Sequence, residues 1–261
     1  MFSVAHLNKL RSHEIERITG FMTPGARILE IGAGTGRQAA ELSARGFQIT
    51  AIEIHASNYA EERLFDIFDY DGRTIPFPDK SFDIVFSSNV LEHVPDLATM
   101  HAEIRRVLVP GGYCVHVLPT HSWRFWTTLM AFPDALLYAS TTFRNLIPRP
   151  SLSAEEANRL ASSWWNVAKR CASPLLQHRH GERGNIISEL WLFHPSWWRR
   201  NFVENAFAVV EDEPMGLFYT GHMFLGGRWS FTSREGAAAW LGSACHLFKL
   251  RPKDDAQKPG I

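Results

Sequence analysis

The chain has 261 residues, of which 45% are hydrophobic and 21% are charged, a composition typical of an ordinary globular protein. Lysine plus arginine and aspartate plus glutamate number 27 each. This balance excludes a strongly basic nucleic-acid-binding surface, so no nucleic-acid partner is expected, although a local basic patch stays open. The length suits one large domain, and residues 1–261 are predicted to form a single domain.

Short apolar runs alternate with helical stretches in the first half of the chain, as in βαβ units around a parallel sheet. Gly46 is expected to end the first of these helices, and Pro110-Gly111-Gly112 the second. In chain order, the pattern predicts strands over 27–31, 47–54, 64–69, 82–88 and 113–118, with helices over 37–44 and 96–108.

The composition changes near residue 120, since all nine tryptophans lie beyond it. Residues 120–190 are predicted to form a mostly helical insertion that covers the ligand site, and one of its helices runs from Ser153 to about Lys169. The apolar stretch 123–143 is interrupted by charged residues and a proline, so it is not expected to span a membrane. The later elements are predicted as a helix over 195–206, strands over 207–213 and 217–225, a last helix from Thr232 towards Leu250, and a frayed tail over 252–261.

A glycine-rich turn follows the first predicted strand, in the sequence Ile-Leu-Glu-Ile-Gly-Ala-Gly-Thr-Gly of residues 28–36. Between a strand and a helix, such a turn lets the backbone approach a nucleotide-like ligand because no Cβ atom intervenes. A dinucleotide site would require Gly-x-Gly-x-x-Gly, but here the third glycine comes one residue early and Glu30 precedes the turn. A carboxylate at that position suits the amino group and the sulfonium of S-adenosyl-methionine and would repel a pyrophosphate. The alternative is an ordinary turn with chance glycines.

A second acidic residue, Glu53, ends the second predicted strand, 17 residues after Gly36. An acid at this place accepts both ribose hydroxyls in dinucleotide-binding folds; the alternative is a solvated charge at a strand end. The segments 71–83 and 84–94 follow Glu53. Together with the glycine turn and Glu53, they indicate the ligand site more specifically than any one segment alone.

Together these segments resemble the class I S-adenosyl-methionine-dependent methyltransferases, and within them the small-molecule group called methyltransferase type 11. The resemblance covers residues 26–119 in full and residues 193–221 more weakly, as the family's last helix and final β-hairpin. It implies an α/β fold with a Rossmann-like, seven-stranded, mostly parallel sheet, an antiparallel last strand, and ligands at the carboxyl ends of the strands. The implied cofactor is S-adenosyl-L-methionine.

The resemblance also implies a set of cofactor-binding residues. By that resemblance Glu30, Gly32, Ala33, Gly34 and Gly36 surround the methionine part, Glu53 holds the ribose, Ile54 and Gly72 lie against the adenine ring, Asp71 accepts from the adenine amino group, and Asn89 and Val90 lie beneath the sulfonium. This sequence departs from the usual family layout in one respect. Only 18 residues separate Glu53 from Asp71, so the second helix and third strand are shortened.

Methyl transfer from a sulfonium chiefly requires alignment of the reacting atoms, and a general base is needed only if the acceptor must lose a proton. His93, after the fourth strand, and His121, after the fifth, are the candidate catalytic bases. The alternatives are that His93 orders its turn through backbone hydrogen bonds and that His121 is simply solvated. The segment 178–184, His-Arg-His-Gly-Glu-Arg-Gly, binds an anionic or metal-bound substrate on one interpretation and is a surface loop on the other. Its spacing is not that of a metal site, and no bound metal is expected.

Aromatic residues of the second half have three interpretations. They line a lid over an apolar or sugar acceptor, contact the surface of a membrane, or fill the core. Peripheral membrane contact is therefore one of the alternatives. The tryptophans concerned are Trp123, Trp126, Trp164, Trp165, Trp191, Trp197 and Trp198.

The predicted function is transfer of a methyl group to an O, N or C atom of a small molecule, with lipid-linked and saccharide-linked acceptors among the options. The alternatives are a non-catalytic cofactor-binding interaction module and a nicotinamide-dependent oxidoreductase, against which the early third glycine and Glu30 argue. Three scattered cysteines form neither a disulfide framework nor a zinc site, and the N-terminus lacks the apolar run of a signal peptide, so a cytoplasmic location is expected. The sequence sets neither the acceptor nor the oligomeric state.

Overall fold

A computed structural model describes residues 4–55, 63–145, 165–166, 168–169, 171–172, 178–221 and 228–253. The strands are β1 Arg27–Ile31, β2 Gln48–Ile54, β3 Ile67–Tyr70, β4 Phe82–Ser88, β5 Leu108–Pro119, β6 Phe207–Pro214 and β7 Cys245–Pro252. The helices are α1 Val4–Thr19, α2 Arg37–Ala44, α3 Leu97–Val107, α4 His121–Asn145, α5 Ile186–Leu192, α6 Pro195–Glu204 and α7 Phe231–Leu241, and a 3₁₀ turn lies at Leu91–His93.

The described strands form one sheet in the order β3-β2-β1-β4-β5-β7-β6. The first five are parallel, and β7 runs antiparallel to both of its neighbours, β5 and β6. This confirms the predicted α/β fold with its mostly parallel sheet and antiparallel last strand. The strand order reverses between β1 and β4, and in open α/β sheets a ligand binds at that point, beyond the carboxyl ends of the strands.

The sheet carries a hydrophobic core on each face, as expected for parallel strands buried on both sides. One core packs α3 and α6 on the sheet, including the fully buried Trp198 and Phe202. The other packs α1 and α2, with Leu10 and Leu42 completely buried. Asp96 begins α3, since its side chain accepts a hydrogen bond from the Thr99 amide at 3.0 Å, the usual role of an N-cap.

The fifth strand begins earlier than predicted. Pro110-Gly111-Gly112, expected to separate a helix from the strand, lies inside β5, which starts at Leu108. A Cβ atom at Gly112 would lie 3.0 Å from the carbonyl oxygens of Asp83 and Val109, so the glycine allows close passage of the neighbouring backbone. The pairing register shifts at this place, between Phe82 and Ile84, as at a β-bulge.

Two predictions for the C-terminal region are wrong. Residues 217–221, the described part of the predicted strand 217–225, contain no strand. The last helix, predicted to continue towards Leu250, begins after Ser230 and ends at Leu241, where Gly242 takes a φ of 88°. Its supposed second half is β7, which pairs with β5 and β6 on either side and has buried residues at Cys245–Phe248 and Leu250. Packing between two strands therefore decides this segment's structure.

The predicted insertion begins with α4, a helix of 25 residues. No helix in the described parts of the chain is long and apolar enough to cross a membrane, which agrees with the expectation for 123–143. Most of the helix predicted from Ser153 to Lys169, and all but the start of the tail predicted over 252–261, lie outside the described residues.

Candidate cofactor site and its surroundings

The glycine turn lies between β1 and α2, at the reversal point of the sheet. The amides of Gly32 and Ala33 both donate to the Ile52 carbonyl, at 2.9 and 3.1 Å. Gly32 has a φ of 71°, and a Cβ atom there would lie 2.4 Å from a methyl carbon of Val90. Because a side chain at this position would clash as well as strain the backbone, the turn requires its glycine, which argues against chance glycines.

The structure brings Glu53, the expected ribose ligand, directly against this turn. One carboxylate oxygen accepts from the Gly34 amide at 2.6 Å, and the other accepts from the amide of Ile54 at 2.8 Å. A carboxylate has about four acceptor positions, so capacity remains for ribose hydroxyls. The alternative of a freely solvated charge does not apply, since only 9% of Glu53 is exposed.

Glu30 lies on β1 below the turn and is 1% exposed. Its Oε2 atom has no hydrogen-bond partner among the described residues. Burial raises the pKa of this carboxyl to about 8, and the neighbouring Glu53 carboxylate adds to the increase. Two adjacent carboxyl groups, one buried and unpartnered, form a place for a cationic ligand and disfavour a pyrophosphate. This arrangement fits the positively charged methionine part of S-adenosyl-methionine.

On the adenine side, the structure places Ile54 and Gly72 next to each other. A Cβ atom at Gly72 would lie 3.2 Å from a methyl carbon of Ile54, whose side chain is partly exposed. Asp71 accepts from the amides of Arg73 and Thr74, at 2.8 and 2.7 Å. Both hydrogen bonds end on the same carboxylate oxygen, so Asp71 stabilises its own turn with that oxygen. They also lower the pKa of Asp71.

Beneath the turn, Asn89 adopts a positive φ of 56° and donates its amide to the Val117 carbonyl at 2.8 Å. With its side-chain oxygen turned towards α1, it accepts from both terminal nitrogens of Arg11, at 2.7 and 3.0 Å. Arg11 also pairs with the buried Glu14 at 2.8 Å. Sequence reasoning missed α1 and Arg11, because an arginine on an amphipathic helix usually indicates only a solvated face.

A family model described as a methyltransferase domain matches residues 29–116, the part of the chain that holds the glycine turn, Glu53 and Asn89. The match covers about a third of the chain and identifies that part as a methyltransferase domain of the class I S-adenosyl-methionine-dependent type. S-adenosyl-L-methionine is the cofactor of this family, and the buried carboxylate and the glycines without room for Cβ atoms fit it.

The curated relatives align over the same region. Sterol 24-C-methyltransferase ERG6B of Gibberella zeae is 39% identical over 100 residues, covering 34% of this chain and 26% of the relative. The 27-O-demethylrifamycin SV methyltransferase of Amycolatopsis mediterranei is 31% identical over 121 residues, covering 41% and 44%. The alignments thus span less than half of these curated relatives. An S-adenosylmethionine-dependent methyltransferase from Mesorhizobium loti shares the fold, with a TM-score of 0.51, 16% identity and coverage of 92% and 97%.

The two candidate bases, His93 and His121, occupy different surroundings. His93 ends the 3₁₀ turn and donates its amide to the Val90 carbonyl at 2.8 Å, while its ring faces Glu92 and His180. His121 is the first residue of α4, and its ring lies 4.5 Å from that of His194. Burial lowers the pKa of both imidazoles.

The segment 178–184 is exposed at its histidines, yet it is firmly attached to the turn after β4. The amide of Glu182 donates to the Glu92 carbonyl at 3.0 Å. The guanidinium of Arg183 donates to the carbonyls of Val94 and Leu91, at 2.6 and 3.2 Å. The segment is therefore packed against the end of the central strand.

A buried carboxylate, Glu189 of α5, fixes the middle of this segment. It accepts from the amides of His180 and Gly181, at 2.6 and 2.7 Å. Its other oxygen lies 2.9 Å from Arg124 of α4, and both side chains are almost fully buried. Sequence reasoning missed this pair, since neither residue lies in a recognisable motif.

The structure shows a core role for one tryptophan, and the lid and membrane interpretations stay predictions for the others. Trp198 belongs to the core, while Trp126 donates to the Leu241 carbonyl at 2.9 Å. Trp123 lies against His180, with ring centroids 4.7 Å apart. Trp191 is exposed, and Trp164 lies outside the described residues.

Proposed function

We propose that this chain transfers the methyl group of S-adenosyl-methionine to an O, N or C atom of a small molecule. The observation that carries the proposal is the glycine turn, with the buried Glu30 beneath it, whose Oε2 has no hydrogen bond among the described residues, and Glu53 against it. The sulfonium supplies an activated methyl group, so the protein mainly has to align it with the acceptor, an effect worth about 7–11 kcal/mol.

The cofactor residues expected from the family resemblance are retained in the proposal. Glu30 faces the amino group of the methionine part, and Glu53 accepts from the ribose. Ile54 and Gly72 pack on the adenine, which is supported by their contact with each other. Asp71 offers its second oxygen to the adenine amino group, and Val90 lies beneath the sulfonium with Asn89.

The proposed acceptor has an apolar part. Along α4, exposed apolar side chains are spaced three or four residues apart: Phe125, Leu129, Phe132 and Leu136. Such a stripe on one helix face supports a role for residues 120–190 as a lid over an apolar acceptor. The names of the two relatives, a sterol and a rifamycin methyltransferase, agree with a largely apolar class. Where the acceptor must lose a proton, His93 and His121 are the proposed bases, with an effect of about 10²–10⁴-fold.

A cytoplasmic location is also part of the proposal. It is supported by three free cysteines, of which Cys114 in β5 and Cys245 in β7 are buried.

Calorimetric titration of the purified chain with S-adenosyl-homocysteine and, separately, with NADH tests the cofactor assignment. We expect stoichiometric binding of the former and none of the latter. A panel of sterol-like, polyketide-like and quinone-like acceptors with labelled S-adenosyl-methionine then tests turnover. Binding of NADH would overturn the proposal, and cofactor binding without turnover on any acceptor would favour a non-catalytic module.

A further inference from the structure

Three donor groups converge beside the turn that follows β4. Glu92 and His93 belong to the 3₁₀ turn, and His180 comes from the distant segment 178–184. One donor atom from each residue lies within 4.8 Å of the other two, and Nε2 of His93 lies 3.8 Å from Oε1 of Glu92. The fold, and not local spacing, brings these residues together, so the sequence shows no metal-ligand pattern here.

The carboxylate of Glu92 is the group in this cluster that most needs a partner. Its side chain is 0% exposed, and neither of its oxygens makes a hydrogen bond within the described structure. The nearby cations are engaged elsewhere, since Arg183 donates to the Leu91 and Val94 carbonyls and Arg11 to Glu14. Arg11 and Arg183 therefore act on this carboxylate only through space. A buried carboxylate without a hydrogen bond is costly, so a cation from solution would complete the arrangement.

The two imidazoles are positioned to share such a cation. The rings of His93 and His180 lie 4.8 Å apart at an angle of 66°. Glu189 holds the backbone of His180 through two amides, and the ring of Trp123 packs on its side chain. His93 is 42% exposed at its side chain, which leaves a route for an ion from solvent.

We propose that Glu92, His93 and His180 form a binding site for a divalent zinc-type cation. Two imidazole nitrogens and one carboxylate oxygen are a donor set that suits zinc and neighbouring transition metals. Donor atoms around a tetrahedral zinc lie roughly 3.3 Å apart, so small side-chain rotations close the cluster. Three protein ligands leave the fourth position open, as in catalytic zinc sites.

A role for the open coordination position of the metal rests on the proposed function of the chain, methyl transfer. Two members of the cluster, Glu92 and His93, come less than one helical turn after Val90, the proposed floor of the sulfonium pocket. A cation there would coordinate an acceptor oxygen and favour its ionised form. His93 then serves as a metal ligand, and His121 is left as the candidate proton acceptor.

Calorimetry with Zn²⁺, and visible absorption with Co²⁺ as a spectroscopic probe, test the site on the chelator-treated full chain. We expect one ion per chain and the absorption of tetrahedral Co²⁺. His93→Ala and His180→Ala should weaken Zn²⁺ binding by at least about 100-fold, because changes in surrounding residues alone cost about 10–100-fold. Glu92→Gln should remove the tetrahedral Co²⁺ absorption. The matched control is His178→Ala, two residues from His180 and exposed, which should bind as the wild type does.

Absence of one-to-one binding would overturn the proposal, as would equal affinity in His180→Ala or an equal loss in His178→Ala. Circular dichroism and thermal unfolding confirm that each variant is folded. S-adenosyl-homocysteine binding, measured with a chelator present, reports separately on the proposed methyltransferase function. A chain that binds this nucleoside but no metal would refute the metal site alone.

Discussion

Two segments meet at the carboxyl ends of the central strands, and they are held in different ways. The glycine turn is fixed by its own backbone, since the Gly32 and Ala33 amides donate to β2 and Gly32 has no room for a Cβ atom. The segment 178–184 is fixed instead by charged side chains, mainly Glu189 and Arg183. The cofactor side is thus specified by adjacent residues, whereas the opposite side depends on a few long-range contacts that single substitutions can remove.

The strongest test of this difference is Gly34→Trp in the glycine turn. Gly34 has a φ of 57°, and an indole there would fill the space that the bare backbone leaves for the cofactor. We expect S-adenosyl-homocysteine affinity to fall by at least about 100-fold, or about 2.7 kcal/mol, with the fold retained. Titration calorimetry and circular dichroism measure both. The matched control, Gly236→Trp on the open surface of α7, should bind normally, and unchanged affinity of the turn variant would refute the placement of the cofactor.

Glu30→Gln tests the buried carboxylate through pH. The pKa of Glu30 is raised from 4.5 to about 8 by burial, so the folded state keeps a proton that the unfolded state has lost. The wild type should therefore lose stability relative to the variant as pH rises from about 4.5 to about 8, by at most about 5 kcal/mol. Urea unfolding across this range measures the difference.

The same variant should bind S-adenosyl-homocysteine more weakly above pH 8, by about tenfold, since charge-assisted hydrogen bonds are worth about 1.5–3 kcal/mol. The exposed Glu16→Gln serves as the control. If the free energy of unfolding changed with pH in the same way in the wild type and in Glu30→Gln, Glu30 would not be the group that keeps a proton in the folded state.

Arg124→Met addresses the other segment. It leaves the Glu189 carboxylate buried without its ion-pair partner, so the free energy of unfolding should fall by about 3 kcal/mol, at the lower end of the range for broken buried pairs. Cofactor affinity should change little. The exposed pair of Arg200 and Glu204 provides the control, because Arg200→Met should cost less than about 1 kcal/mol. Equal costs for the two variants would mean that burial of Glu189 does not matter.

The smallest effect is expected for Asp71→Asn, on the adenine side. The asparagine oxygen can still accept from the Arg73 and Thr74 amides, so stability should hold. Its NH₂ group would face the adenine amino group, and affinity should fall by about fivefold, the value of one hydrogen bond of about 1 kcal/mol. Asp79→Asn, at an exposed ion pair with Arg106, is the control in the same titration. An unchanged affinity would remove Asp71 from the cofactor set.

Features that adjacent residues specify could be predicted from the sequence, whereas features that depend on long-range contacts could not. The bounds of β1, α2 and β4 were predicted correctly, because local periodicity and the glycines specify them within a few residues. The strand β7 was taken for helix, because its burial is imposed by β5 and β6 on either side. Arg11, Glu189 and the contact between His93 and His180 could not be predicted, since each depends on a partner far away in the chain.

The position of β7 has a consequence for synthesis of the protein. β7 is the last strand along the described part of the chain, and it lies between β5 and β6 instead of at an edge of the sheet. While the ribosome is still translating residues before Cys245, the β5 backbone has no hydrogen-bonding neighbour on that side and β6 has no strand to pair with. Exposed strand edges of this kind invite pairing with other chains, so the nascent protein passes through an aggregation-prone stage that ends only when its final strand emerges.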